Sequence, residues 1–535
     1  RVKTSTMLPR FNEAFAGRSV FITGGSGFLG KVLVEKLLYS IPDINHIFVI
    51  VRASRGVAPD DRWKKITTDV LFDRVKRERP QALDKVIVIP GDIMEENLGM
   101  NQHDVQKICE EVSIVFHCAA TVKFDEKLRD AVEMNVRGTT RLVSLCHRMP
   151  KLACLVHTST AYANCDREKT DEIVYPPPIS PQKLIESIEW MDDGMLADIT
   201  PRLLGQRPNT YTLTKALAEA MLVEDAAGLP VIILRPSIVG AMWKEHLPGW
   251  TDNVNGATGV FAAVGKGVLT NMLGDVKSKA DLIPVDIVSN MLVASAVYRM
   301  NLSGNEIPVM HCASGDLNPI YWAHIVYFLQ QFFHKYPMED SAGVVSTKFH
   351  RNRSLFELNY NLKHHYPACL LDFVYGLIGK KQINKRIYAK VRKLVETLHF
   401  FTTHGWTFNS KALPMLWEKV HPEDQEEFNF DVRKIDWDSY MFDYVMGIKR
   451  HILHENIDDF SKARASQKKK ERIQLCARML FCYGFVQLVA RKQPGSRKWL
   501  LWLASLGATQ FYVKFDYRPQ YRLKSLEEYK KSIKC

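Results

Sequence analysis

The stretch Val20-Phe21-Ile22-Thr23-Gly24-Gly25-Ser26-Gly27-Phe28-Leu29-Gly30 decides the fold. An apolar strand runs into three glycines spaced G-x-x-G-x-x-G, and an amphipathic helical pattern follows. This is the sequence of a Rossmann-type βα turn. There a helix N-terminus, with unpaired N–H groups and a partial positive charge, faces a dinucleotide pyrophosphate. In this reading Gly24 permits the tight turn and Gly27 lets the backbone approach the phosphates. Phe28 and Leu29 complete the cofactor loop, and Gly30 lets the helix pack close to the sheet. The competing reading leaves the glycines with a turn to shape and nothing to bind.

Tyr211-Thr212-Leu213-Thr214-Lys215 decides between them. The spacing differs from G-x-G-x-x-G and points to a site of the short-chain dehydrogenase type. Such a site pairs its glycine loop with Tyr and Lys four residues apart, on one face of a helix. A free phenol has a pKa of about 10, too high for acid–base work at neutral pH. A lysine ammonium one turn away favours the phenolate, so Tyr211 is expected to shuttle a proton to or from a carbonyl oxygen.

Outward from these motifs, short apolar β-branched runs recur at Ser19–Ile22, His46–Val51, Val86–Pro90, Ile114–His117, Ala153–Ser159 and Val231–Arg235. Helical patterns such as Phe28–Leu38 and Leu128–Cys146 separate them. The alternation predicts an α/β fold, a doubly wound Rossmann-type parallel sheet buried on both faces. From about Arg351 the pattern becomes mostly helical, through Ala389–Phe400 and Phe430–His451. Four units are expected: an N-terminal extension (1–15), a Rossmann-type dinucleotide-binding domain (16–345), a helical C-terminal domain (346–460) and a basic, apolar, membrane-associating tail (461–535).

Charge supports that division. The chain of 535 residues carries a formal net charge of +13, yet 18 of its 72 Lys and Arg lie after residue 460, beside only 4 acidic residues. The body is therefore close to neutral, which disfavours a nucleic-acid groove. The tail holds two uncharged stretches, Met479–Ala490 and Trp499–Val513, flanked by Lys468-Lys469-Lys470, Arg491-Lys492 and Arg497-Lys498. Both fall short of the roughly 20 apolar residues of a full span. Positive charge at the tip between them fits poorly with a crossing pair and better with a shallow hairpin or interfacial helices on anionic lipid. The alternative is a soluble hairpin packed on the body. Removal of the chain from about Ser466 is expected to leave a folded, soluble body that no longer sediments with membranes. The ten cysteines are scattered without a C-x-x-C pair, which suits buried free thiols in a reducing compartment. No signal-peptide-like run opens the chain, and Met7 is the expected start.

The strand ends supply the remaining candidates. Arg52 stands where an NAD-preferring fold carries Asp or Glu, and it is expected to pair with a 2′-phosphate, which makes NADPH the cofactor. The bland reading is a solvated arginine in a loop that also holds Arg55. Asp92, after the third strand, is expected to contact the adenine amino group, or else to serve the turn. Small residues in His117-Cys118-Ala119-Ala120 let ribose and nicotinamide lie against the sheet edge, with Ala119 in the cofactor site. His117 reads as a packed histidine, and no ligand cluster suggests a metal. Thr160, with Ser159 second, is expected to place a hydroxyl opposite Tyr211 and hydrogen-bond the reacting oxygen. Asn135 is expected to hold a relay water or to orient Lys215, unless it is an ordinary helix residue.

Together these residues resemble the fatty acyl-CoA reductases. The likeness is carried by Thr23–Gly30, His117–Val122, Thr158–Tyr162, Tyr175-Pro176-Pro177-Pro178, Arg207–Ala216, Arg235–Gly240, Pro248-Gly249-Trp250, Asn255-Gly256 and Ile283-Pro284-Val285-Asp286. Trp406 and Asp436-Trp437 fit the male-sterility C-terminal domain of that family. Ser26 and His246 depart from the usual Thr and Pro.

The resemblance implies an alcohol-forming reductase. A long-chain acyl-CoA is reduced by NADPH to a held aldehyde and then to a primary alcohol, with release of CoA. Tyr211 and Thr160 stabilise the oxyanion, Tyr211 protonates the alkoxide, and Lys215 tunes the tyrosine and binds the nicotinamide ribose. It implies a membrane-associated protein whose catalytic domain faces the cytosol, at the peroxisomal membrane with the endoplasmic reticulum as the alternative. Acyl-CoA, membrane lipid through the tail and a second copy in a homodimer are the expected partners. The rivals are a short-chain dehydrogenase acting on a sterol or nucleotide sugar, which would lack the later motifs, and a dinucleotide-sensing scaffold, which often loses the Tyr or Lys kept here.

Overall fold

The computed structural model describes residues 7–54, 56–514 and 520–533, with side chains 510–514 excluded. Arg55 and residues 1–6 therefore lie outside the described residues. Seven parallel strands form the central sheet: β1 (Ser19–Thr23), β2 (Ile47–Val51), β3 (Val86–Pro90), β4 (Val112–His117), β5 (Cys154–Thr158), β6 (Val231–Pro236) and β7 (Val309–Cys312). Their spatial order is β7-β6-β5-β4-β1-β2-β3. Every strand but the edge strand β3 is buried throughout, which explains the continuous apolar runs. The six strands read from sequence are present, Val86–Pro90 with unchanged bounds and the other five with ends shifted by one or two residues. The seventh, Val-Met-His-Cys, is too short and mixed to stand out.

The chain reverses its strand order between β1 and β4, which lie side by side with Thr23 opposite His117. Loops leaving both strand ends diverge there and open the crevice where dinucleotides bind in such sheets. Helix α1 (Phe28–Ser40) follows β1, and α2 (Thr210–Asp225) carries the Tyr–Lys pair. Helix α3 (Val285–Met300), buried on nearly every side, packs against α1 and the sheet.

Beyond residue 350 the chain is mostly helical. It includes α4 (Tyr366–Leu377), α5 (Asn384–Thr403) and α6 (Trp437–Gly447). Phe430, read as the start of the last helix, precedes it. Asp436 caps the helix instead, accepting from the Ser439 N–H at 2.7 Å. This part shares one continuous core with the sheet, where Phe428, Trp437, Tyr440 and Tyr444 join Phe11 and Phe15 of the N-terminal segment.

The last 75 residues do not behave as one tail. Helices α7 (Ser461–Val489) and α8 (Gly495–Lys514) form a hairpin in which the Trp502 indole N–H donates to the Met479 carbonyl at 3.0 Å. Its outer surface exposes Leu480, Phe481, Leu488, Trp499 and Leu500. No helix among the described residues is long and apolar enough to cross a membrane. Residues 520–533 then return to the body. Tyr529 is wholly buried in the main core, Lys524 pairs with Asp443 at 2.6 Å, and the Tyr521 ring lies 4.5 Å from that of His324. This corrects the expectation that everything after Ser466 is dispensable for folding. The apolar side chains of the final segment fill the core rather than extend the hairpin.

Candidate active site

Gly24 adopts φ +74°, and a Cβ there would meet the Ala119 nitrogen at 2.6 Å, because the two loops leave adjacent strand ends. Only glycine satisfies both constraints. A Cβ on Gly30 would strike the Gly24 carbonyl at 2.2 Å, so the helix packs directly on its own turn. At Gly27 a Cβ would meet only the Gly24 oxygen, at 3.2 Å. Gly27 is the N-cap of α1 and offers no side-chain partner to the first-turn N–H groups. The Phe28 ring is anchored by stacking on Trp250 at 5.6 Å, and Leu29 packs on the core. An open backbone cradle at a helix N-terminus fits a pyrophosphate.

Arg52 and Asp92 come together at the ends of β2 and β3, with Arg52 Nη1 3.7 Å from Asp92 Oδ2. Arg52 is 57% exposed, so its guanidinium can be given to an anion at small cost. Asp92 also accepts from the Met94 N–H at 3.1 Å, which fixes the turn.

At the end of β4, His117 is a core histidine. Nδ1 lies 2.7 Å from the Thr23 hydroxyl and Nε2 3.0 Å from that of Thr139, and burial pushes its pKa down to about 3. Ala119 sits beside the glycine loop, its N–H donating to Thr23 Oγ1 at 3.3 Å. Asn135 lies in a π-helical turn, Glu133–Arg137, of a kind frequent at functional sites. It accepts from the Thr121 N–H at 2.9 Å and donates to Thr214 Oγ1 at 2.9 Å. Asn135 thus ties the β4 loop to α2 through Thr214, the neighbour of Lys215, and not through Lys215 itself.

Lys215 is buried, and its Nζ donates to the Thr158 carbonyl at 2.7 Å. Burial lowers its pKa to about 8, an effect partly offset by Cys118 and Glu219. Tyr211 behaves differently from the sequence expectation. Burial raises its pKa to about 12, and the offset comes from the Thr160 hydroxyl rather than from Lys215. The phenol is therefore held protonated, with its ring 5.8 Å from that of Phe124.

The two hydroxyl candidates separate cleanly. Thr160 faces the Tyr211 phenol and tempers its raised pKa, while its hydroxyl donates to the Pro236 carbonyl at 3.4 Å. The Ser159 hydroxyl instead donates to Glu219 Oε1, beneath the strand end. Alternation along an extended chain sends neighbouring side chains to opposite faces, so only one of the two can meet the phenol. Ser159 is thus not brought to the site.

Sequence reading missed the aromatic wall. Phe124 lies 5.3 Å from Phe401 at the end of α5, and Tyr162 meets Phe401, Trp406 and Phe408 edge-on at 5.1, 5.3 and 5.0 Å. The helical part is thereby packed beside Tyr211 through Phe124. Nothing local in these residues signals the contact, because it joins positions almost 280 apart.

A switch-point crevice, a glycine cradle and a Tyr–Lys helix with a facing threonine define a nicotinamide-cofactor oxidoreductase of the short-chain dehydrogenase type. The comparisons narrow this class. The NAD-binding model described as male sterility protein matches residues 22–292, and a second model of the same description matches 363–455. Fatty acyl-CoA reductase 1 of Rattus norvegicus is 42% identical over 88% of this chain and 90% of that protein. The Homo sapiens protein of that name is 41% identical over the same shares. Fatty acyl-CoA reductase 2 of Bos taurus is 36% identical over 91% of this chain and 94% of that one. The chain belongs to the fatty acyl-CoA reductase family. Among solved structures, the reductase domain of a nonribosomal peptide synthetase from Mycobacterium tuberculosis aligns with TM-score 0.54 at 18% identity. It covers 83% of this chain and 93% of that one. The terminal reductase domain of the myxalamid pathway aligns at 0.53 and 17%, over 82% and 92%. Both share the fold.

Proposed function

We propose that this chain reduces long-chain fatty acyl-CoA to the primary alcohol through a bound aldehyde, with NADPH as the reductant. The observation that carries the reading is the helix that sets Tyr211 one turn before Lys215, with the Lys215 Nζ fixed on the Thr158 carbonyl at the end of β5 and Thr160 facing the phenol. When bound, NADPH would supply the hydride for each of the two reductions, of the thioester and then of the aldehyde.

The protein's own part is to position and to protonate. Tyr211 and Thr160 donate hydrogen bonds to the carbonyl oxygen and stabilise the negative charge that develops there. Collapse of the thiohemiacetal oxyanion re-forms the C=O bond and expels CoA thiolate, which takes a proton. Tyr211 then gives its proton to the alkoxide formed from the aldehyde. A raised pKa suits this direction, since the phenol must be protonated when the alkoxide appears. Lys215 would bind the nicotinamide ribose, and the α1 N-terminus at Gly27–Gly30 the pyrophosphate. Asp92 would meet the adenine amino group, and Arg52 a 2′-phosphate. Asn135 keeps the β4 loop and α2 in register. The half-buried Phe124, backed by the buried Phe401 and Tyr162, would meet the acyl chain beside Tyr211.

The hairpin of α7 and α8 supports membrane association. Exposed Leu, Phe and Trp side chains lie among basic residues, a composition suited to the interface of an anionic bilayer. The catalytic body would face the cytosol, on the peroxisomal membrane or alternatively the endoplasmic reticulum, with a homodimer as the assembly.

The deciding experiment incubates the purified protein with NADPH or NADH and a panel of acyl-CoAs. Two NADPH consumed per alcohol, with one CoA released, is the expected stoichiometry. One NADPH per free aldehyde would refute the alcohol-forming reading, and reduction of a sterol or sugar nucleotide alone would favour the rival.

A further inference from the structure

Helix α4, with the π-helical turn Asn361–His365 before it, presents an apolar stripe that no other described residue covers. Leu362, Tyr366, Leu370, Phe373 and Leu377 recur at spacings of four, four, three and four, one face of a helix, and are 59, 61, 64, 64 and 72% exposed. Exposed contiguous apolar surface of this kind marks an interaction site. The helix is not loose. Asp372 Oδ1 accepts from Asn384 N and Nδ2 at 3.0 and 2.9 Å, and Oδ2 accepts from Lys385 N at 2.9 Å, which clamps α4 to the start of α5.

The surrounding charge selects the partner. Asp372 is the only acidic residue between positions 361 and 390, and its carboxylate is spent on that clamp. Lys380, Lys381, Lys385, Arg386 and Lys390 are all exposed around the same elbow. Apolar side chains rimmed by unopposed cations suit the headgroup–acyl boundary of an anionic bilayer. From this elbow α5 runs to Phe401, which reaches Phe124 beside Tyr211.

We propose that the α4–α5 elbow is a second membrane-docking surface, separate from the α7–α8 hairpin, which inserts its leucine and phenylalanine side chains into an anionic leaflet. It holds the body against the membrane on the side from which α5 leads to the active site. A lipid-partitioned acyl chain would then enter without crossing water. The proposal rests on the acyl-CoA reading for its purpose, though not for its geometry.

Hydrogen exchange of the full-length protein tests it, with and without vesicles of phosphatidylcholine containing phosphatidylserine. Residues 362–378 should gain protection with these vesicles and much less with pure phosphatidylcholine. The double variant Leu370→Glu, Phe373→Glu, at two exposed positions, should lose that protection while the hairpin keeps its own. Its KM for a long-chain acyl-CoA presented in vesicles should rise several-fold, with that for a water-soluble short-chain acyl-CoA unchanged. Unaltered exchange at 362–378 while the hairpin becomes protected would overturn the proposal. So would protection that grows with protein concentration in the absence of lipid, which would assign the stripe to a second copy. Failure of the wild type to reduce any acyl-CoA would sink the functional reading instead, and the exchange result would stand apart from it.

Discussion

Glu219 and Arg235 face each other through two parallel hydrogen bonds, Nε to Oε1 at 2.8 Å and Nη2 to Oε2 at 2.6 Å, with both side chains 1% exposed. Glu219 lies one turn beyond Lys215 on α2, and Arg235 lies on β6. Glu219 also accepts the Ser159 hydroxyl, while Arg235 donates to the carbonyls of Asp171 and Ile173 at 3.1 and 2.7 Å. The pair fixes the catalytic helix against the strand ends that supply Thr160.

Glu219→Gln keeps the shape and strands the Arg235 charge in the core. Breaking a buried pair from one side costs about 3–5 kcal/mol. Urea unfolding should show a loss of that size, and a variant within about 1 kcal/mol of wild type would contradict the role assigned to the pair.

Tyr211→Phe removes the proton donor and keeps the ring against Phe124. NADPH binding should hardly change, while turnover should fall by on the order of 10²–10⁴, the weight of acid–base catalysis. Thr160→Val should cost turnover as well, whereas Ser159→Ala should act on stability. Near-normal alcohol formation by Tyr211→Phe would end the proposed mechanism.

Arg52→Glu places a carboxylate beside Asp92 where a 2′-phosphate is expected. The KM for NADPH should rise steeply and that for NADH far less. Equal effects on the two cofactors would remove Arg52 from the specificity site.

Lys215 has a folded pKa of about 8, below the ordinary value of about 10.4. Between these values the unfolded chain holds a proton that the folded chain has released. This group's contribution to stability therefore rises with pH across that window, and Lys215→Met should abolish the rise. The charged form binds the ribose, so kcat/KM for the cofactor should fall as pH passes 8, and Lys215→Arg should not show that fall. A wild-type profile flat to pH 10 would separate Lys215 from cofactor binding.

Deletion of residues 466–535 should now prevent stable folding, because it removes Tyr529 from the core and Lys524 from Asp443. Losing a buried aromatic side chain alone costs about 3–5 kcal/mol. Replacing only the α7–α8 hairpin with a short linker should leave a folded reductase that no longer sediments with membranes. Normal stability after the full deletion, measured by thermal unfolding, would show that the returning segment is not needed.

The sheet, the glycine turn and the Tyr–Lys helix were legible because their signals are local. Buried parallel strands need continuous apolar runs, a helix N-terminus approached by phosphate needs glycine, and Tyr211 and Lys215 share a face by helical periodicity alone. The tertiary structure decided what depends on distant partners. Thr160 rather than Ser159 meets the phenol because Glu219 claims the serine. The Tyr211 pKa is raised rather than lowered because burial outweighs the one opposing contact, with Thr160, while Lys215 is tied to the Thr158 carbonyl. The aromatic wall, the return of residues 520–533 and the uncovered stripe on α4 all follow from which surfaces meet in the folded chain. Apolar residues read alike in sequence whether they fill a core, line a substrate groove or face a membrane, and only their neighbours in space tell them apart.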